Sequence, residues 1–69
     1  MATFSCDVHV ERFTEKALLV RRVDKKDVPA EWFPKSQIDA ESEVGTNAEE
    51  GDEGTMIVPE WIAAQKGWI

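Results

Sequence analysis

The sequence predicts a small α+β domain: about four antiparallel strands, curled in an SH3-like or half-barrel manner, and one short carboxy-terminal helix. Three observations carry that expectation. Phe4, Cys6, Val8 and Val10 alternate with Ser5, Asp7, His9 and Glu11, the period of a strand with one buried face. Two further β-prone runs, 16–24 and 55–58, are set off by charged and proline-containing turns. Near the end, Pro59-Glu60 opens a stretch of helical spacing that Gly67 closes.

The elements follow in order. After the first strand the alternation breaks at 12–16, where Phe13 is assigned to the core and Thr14-Glu15-Lys16 to a turn. In the second strand Ala17, Leu19, Arg21 and Val23 share one face; Leu18, Val20 and Arg22 share the other. Apolar residues on both faces predict a central strand. Asp24-Lys25-Lys26-Asp27 is a charged hairpin tip. A third, short strand around Glu31-Trp32-Phe33 lies between Pro29 and Pro34, which place it at a sheet edge because proline donates no ladder hydrogen bond. Residues 34–38 suit one tight helical turn opened by proline, with Ser36 and Gln37 capping backbone groups and Lys35 solvated. The fourth strand is 55–58 and the helix 59–67. The expected core is Phe4, Val8, Val10, Phe13, Leu19, Val20, Ile38, Ile57 and Ile62, with at least Trp61 beside them.

One segment interrupts this pattern. Residues 39–54 hold Asp39, Glu41, Glu43, Glu49, Glu50, Asp52 and Glu53 and no Lys or Arg. Only Val44 and two alanines are apolar there, so the segment is expected to be a mobile acidic loop within a single domain spanning 1–69. It contributes seven of the chain's fourteen acids; the remainder holds seven acids and all eight bases, so a near-neutral body carries one negative loop.

Size and composition bound the rest. The chain has 69 residues. About fifty residues outside the loop are near the lower limit for an independent core. Cys6 is the only cysteine and His9 the only histidine, which excludes an intrachain disulfide and a Cys/His metal set. His9 falls on the polar face with no nucleophile beside it, so it is read as solvated; Cys6 falls on the apolar face as a buried thiol. Tight packing or a homodimer must compensate for the small core, and the closing Trp68-Ile69 is expected on a groove rim or against a partner. No amino-terminal signal sequence and no apolar run of membrane-spanning length appear, so a soluble cytoplasmic protein is expected, with no membrane partner.

Lys16-Ala17-Leu18-Leu19-Val20, then Trp32-Phe33-Pro34-Lys35-Ser36-Gln37-Ile38, then Val58-Pro59-Glu60-Trp61-Ile62-Ala63 and Lys66-Gly67 resemble a group of small phage and prophage proteins. The pattern covers most of the chain and departs from the group in an additional Val28-Pro29-Ala30 before the tryptophan. The resemblance carries no assigned activity. It implies a mobile-element protein acting inside a bacterial host cell.

Three function classes are weighed. Catalysis is set aside: Lys35, Ser36 and Gln37 lack an acid–base partner, an oxyanion donor and a phosphate cradle, and Glu49-Glu50-Gly51-Asp52-Glu53 lacks the ligand spacing of a calcium loop. No cofactor or metal is expected. The favoured class is a non-enzymatic inhibitor that binds a nucleic-acid-handling bacterial defence protein, of anti-CRISPR or anti-restriction type, by DNA mimicry. Its candidate contacts are Glu41, Glu43, Glu49, Glu50, Asp52 and Glu53, with Trp32 as an aromatic anchor. The alternative is a single-stranded nucleic-acid-binding module. It would use Arg21, Arg22, Lys25 and Lys26 as a basic hairpin end, Trp32 to stack a base, and the acidic loop as an autoinhibitory flap. Ordinary solvation of a charged loop, and a core built from a few large tryptophans, account for the same residues without any partner.

Overall fold

The computed structural model describes residues 2–69. Strands β1 (Thr3–Phe13), β2 (Ala17–Arg22), β3 (Glu31–Pro34) and β4 (Glu53–Pro59) form one open antiparallel sheet in the order β3-β2-β1-β4. A 3-10 turn (Lys35–Gln37) follows β3, and helix α1 (Glu60–Gln65) follows β4 directly. This is the small α+β fold that the sequence predicts, with β3 at an edge.

Register decides which side chains are buried. Val10 stands opposite Val20, Cys6 opposite Met56 and Phe4 opposite Val58, so the even positions of β1 meet the even positions of β2 and β4. The core is therefore Val8, Val10, Leu18, Val20, Phe33, Met56 and Val58 from the sheet. Ile38, Val44, Ala48, Ile62, Ala63 and Trp68 cover it. Among the described residues only this face of the sheet is covered by other elements. Thr3, Ser5, Asp7 and His9 of β1, Leu19 and Arg21 of β2, Trp32 of β3 and Thr55 and Ile57 of β4 share the other, open face.

Four expected core residues are corrected, and a fifth, Phe4, in part. Leu19 and Ile57 lie on the open face and are half-buried, while their neighbours Leu18, Met56 and Val58 are fully buried. A β-bulge between Val10 and Arg12 adds one residue to β1 against β2, and Phe13 ends at the sheet's margin, 49% exposed, with the Lys35 ammonium 5.7 Å from its ring centre. Trp61 is 53% exposed because α1 turns Ile62 and Ala63 inward. Phe4 is only partly buried against the core.

The chain end is corrected too. Trp68 packs inside its own chain, 4% exposed, edge-on to Phe33 with ring centres 4.8 Å apart; Ile69 stays exposed. The helix stop explains this placement. Gly67 takes φ +78°, which lets Trp68 N–H donate to Ala63 O at 2.9 Å and Gly67 N–H to Ala64 O at 3.1 Å. That Schellman closure turns the chain back over the core.

Arg22 completes the buried face. It stands opposite Val8, with its guanidinium 5.2 Å from the Phe4 ring centre and 5.8 Å from that of Trp68. It donates to both oxygens of Asp24, at 3.1 and 2.9 Å, and to the Trp68 carbonyl at 3.0 Å. The side-chain hydrogen bond from Arg22 holds the Asp24 carboxyl below its ordinary range, and the same bond raises the Arg22 guanidinium. Among the described residues no helix is long and apolar enough to cross a membrane.

Candidate functional site

β4 is the sheet edge opposite β3, and its outward backbone groups need partners that no fifth strand supplies. The acidic segment supplies them. Asp39 N–H donates to Ile57 O at 2.8 Å, and Val44 N–H donates to Thr55 O at 3.0 Å. Between these two backbone contacts, side chains take over. The Ser42 hydroxyl accepts from Ile57 N–H at 2.8 Å and lies 3.3 Å from Ile57 O. A Glu43 carboxylate oxygen accepts from Thr55 N–H at 2.9 Å. These bonds to Thr55 hold the Glu43 carboxyl below its ordinary range. Gly54 makes room for this side chain: a Cβ there would stand 3.1 Å from Glu43 Cβ.

The segment is fastened at its other end as well. Gly51 N–H donates to Val10 O and Val10 N–H to Asp52 O, both at 2.8 Å. Val44 and Ala48, counted in the sequence as too little apolar surface for order, are 2% and 8% exposed and plug into the core. Glu53 and Gly54, assigned by sequence to the loop, belong to β4, because the pairing with β1 continues through His9 opposite Glu53.

The candidate contact residues thus divide into two sets. Glu43, Asp52 and Glu53 are engaged within the chain: Glu43 with Thr55 N–H, Asp52 with Glu49 N–H at 2.9 Å, and Glu53 with His9 Nδ1 at 3.1 Å. Asp39 similarly accepts from Glu41 N–H at 2.8 Å. Glu41, Glu49 and Glu50 are exposed, and their carboxylates point to no ion pair among the described residues. The result is an acidic rim along β4. A concavity of about 360 Å³ opens in it, walled by Asp39, Ser42, Glu43, Thr46, Ala48 and Asp52.

No family model matches this chain, and no curated protein or solved structure is significantly similar to it.

Trp32 does not join the rim. It is 40% exposed on β3, and β2 and β1 lie between it and β4, so the expected aromatic anchor and the acidic residues occupy opposite edges. The basic hairpin end is also reduced. Arg22 is buried on Asp24, and Arg21 donates to Glu11 at 2.8 Å, which leaves Lys25 and Lys26 at the tip. Of the Lys35-Ser36-Gln37 group, Ser36 and Gln37 do not occupy the cap positions, which fall to Pro34 and Ile38; Ile38 N–H closes the turn on Lys35 O. Among the described residues no three His, Cys, Asp or Glu side chains gather at metal-binding distance.

Sequence reasoning missed Ser42, Val44 and Arg22. Ser42 and Val44 act through partners at least eleven positions away, on an edge that exists only once the strands are ordered. Arg22 had a local signal: it continues the Leu18, Val20 parity into the core, with Asp24 two residues on to receive it.

Proposed function

We propose that this protein is a non-enzymatic inhibitor that binds a basic, nucleic-acid-handling surface on another protein through its acidic rim. The observation that carries this reading is the division of labour among the carboxylates. Some fasten the segment to β4 and β1, so that Glu41, Glu49 and Glu50 are presented outward from a fixed backbone. Carboxylates held at set positions neutralise a Lys/Arg groove at less ordering cost than carboxylates on a free tail. The concavity beside them suits a lysine or arginine side chain, whose charge would meet Asp39, Glu43 and Asp52. The resemblance to phage and prophage proteins directs the choice of partner to bacterial defence, in the manner of an anti-CRISPR or anti-restriction DNA mimic.

The alternative of a single-stranded nucleic-acid module loses support, because two of its four proposed bases are committed to Asp24 and Glu11. The test is capture from a nuclease-treated bacterial lysate, which removes DNA bridging. The tagged protein should retain nucleic-acid-handling proteins that elute with salt, and the triple variant E41K/E49K/E50K should lose them. Retention of the same proteins by both forms would contradict the reading.

A further inference from the structure

The basic side chains are not treated alike. Arg21 and Arg22 are paired with Glu11 and Asp24, whereas Lys16 and Lys35 have no carboxylate at ion-pair distance among the described residues, in a chain with fourteen acids. These two lysines are neighbours. Lys35 N–H donates to Lys16 O at 2.8 Å, which continues the β2–β3 register by one pair beyond Ala17 and Pro34. Like charges set opposite one another on adjacent strands repel, so the placement costs stability. Phe13 completes the corner. It stands opposite Leu18 at the end of β1, half exposed, with the Lys35 ammonium 5.7 Å from its ring centre. That contact draws the Lys35 side chain across the start of β2, which Lys16 immediately precedes. Arg12, opposite Leu19, belongs to the other face of the sheet.

We propose that this corner binds a nucleoside phosphate, with the phosphate held by Lys16 and Lys35 and the base resting on the exposed part of the Phe13 ring. Two unneutralised ammonium groups favour an anion, and a phosphate monoester, which carries more than one negative charge at neutral pH, relieves their repulsion further than one carboxylate does. The ring narrows the ligand again. Nucleobases stack on exposed aromatic side chains beside cationic groups. An acidic peptide would engage the lysines and leave Phe13 without a flat partner. The net charge of −6 repels anions at long range, but that field is screened beyond roughly 8 Å at physiological ionic strength. The acidic segment, bonded to β4 and to Val10, lies on the far side of β1 from both lysines. The same chemistry has two sources, a free nucleotide and the phosphorylated end of a strand. Neither uses the acidic rim, so the site is independent of partner binding there.

Titration of the full chain with adenosine monophosphate, followed by amide chemical shifts, tests this. Saturable shifts should appear at residues 13–17 and at Lys35 and Ser36. Adenosine alone and inorganic phosphate should each bind at least tenfold more weakly than the nucleotide. K16Q/K35Q should weaken nucleotide binding at least tenfold. F13A should weaken the nucleotide but leave inorganic phosphate unchanged. R12Q, which also removes a positive charge but lies on the other face, should bind as wild type does. Circular dichroism confirms that each variant is folded. An oligonucleotide with a terminal phosphate that binds tenfold tighter than the nucleotide assigns the ligand to a strand end; equal affinity assigns it to a free nucleotide. Absence of saturable shifts at these amides would overturn the proposal. So would equal binding of inorganic phosphate and nucleotide, or a loss in R12Q as large as that in K16Q/K35Q, which would mark a response to net charge alone.

Discussion

Cys6 shows how placement on one face of a strand sets the chemistry of a single residue. It faces Met56 on the covered side of the sheet, and burial pushes its thiol up to about 11, against a smaller opposing pull from the Arg22 charge. The neutral thiol is the form the fold accommodates. Its contribution to stability is complete below the ordinary value of 9.0 and is lost as pH rises through about 11. Reactivity follows the thiolate, so alkylation by iodoacetamide at pH 8 should be about a hundredfold slower in the native protein than in denaturant. Equal rates in the two conditions would contradict the burial of Cys6. At this scale the sequence was informative, because period-two alternation alone put Cys6 inward and His9 outward. Arg22 carried the same signal, since its parity with Leu18 and Val20 points inward, but a charged side chain was assumed to seek water.

At the scale of elements, register outweighs composition. Leu18 and Leu19 are chemically identical neighbours, with no local reason in the chain to choose between them. Pairing with β1 makes the choice: Val10 opposite Val20 turns the even positions of β2 into the core. Leu18→Ala should therefore cost about 2–5 kcal/mol in denaturant unfolding, and Leu19→Ala less than half as much. Equal costs would contradict the register. The same reasoning places Met56 and Val58 inside and Ile57 outside. Strand existence, the edge position of β3 and the Gly67 helix stop were legible from turn residues and periodicity. The bulge at Glu11 was not; it sets Phe13 opposite Leu18, but at the end of β1, where the sheet margin leaves the ring exposed.

The clasp on β4 belongs to this scale too, and it is sensitive to acid. Hydrogen bonding from Thr55 depresses the Glu43 carboxyl below 4.5, so its contribution is complete above that value and is lost as pH falls through the lower, folded one. Glu43→Gln keeps an acceptor for Thr55 N–H but removes the titration. Its stability should fall less steeply than that of wild type as pH falls below 4.5. Parallel decline of the two proteins would show that the clasp does not depend on the carboxylate.

For the whole molecule, the governing feature is a fold that spends part of its negative charge on its own construction. The sequence marked residues 39–54 as one acidic segment, although Glu53 and Gly54 belong to β4. It could not show that Val44 and Ala48 anchor it, or that Ser42 and Glu43 stand in for a missing strand, because those roles require the free edge of β4 to exist. Nor could it show that Trp32 lies across the sheet from the acidic residues. The acidic residues and Trp32 therefore belong to two separate surfaces at opposite sheet edges. The most direct test of the rim uses a captured partner bound to a fluorescent oligonucleotide, with anisotropy followed as the protein is added. Mimicry of nucleic acid predicts full displacement of the oligonucleotide near one equivalent, and at least tenfold weaker displacement by E41K/E49K/E50K. A rise in anisotropy, which signals a ternary complex, or equal displacement by both forms would contradict it.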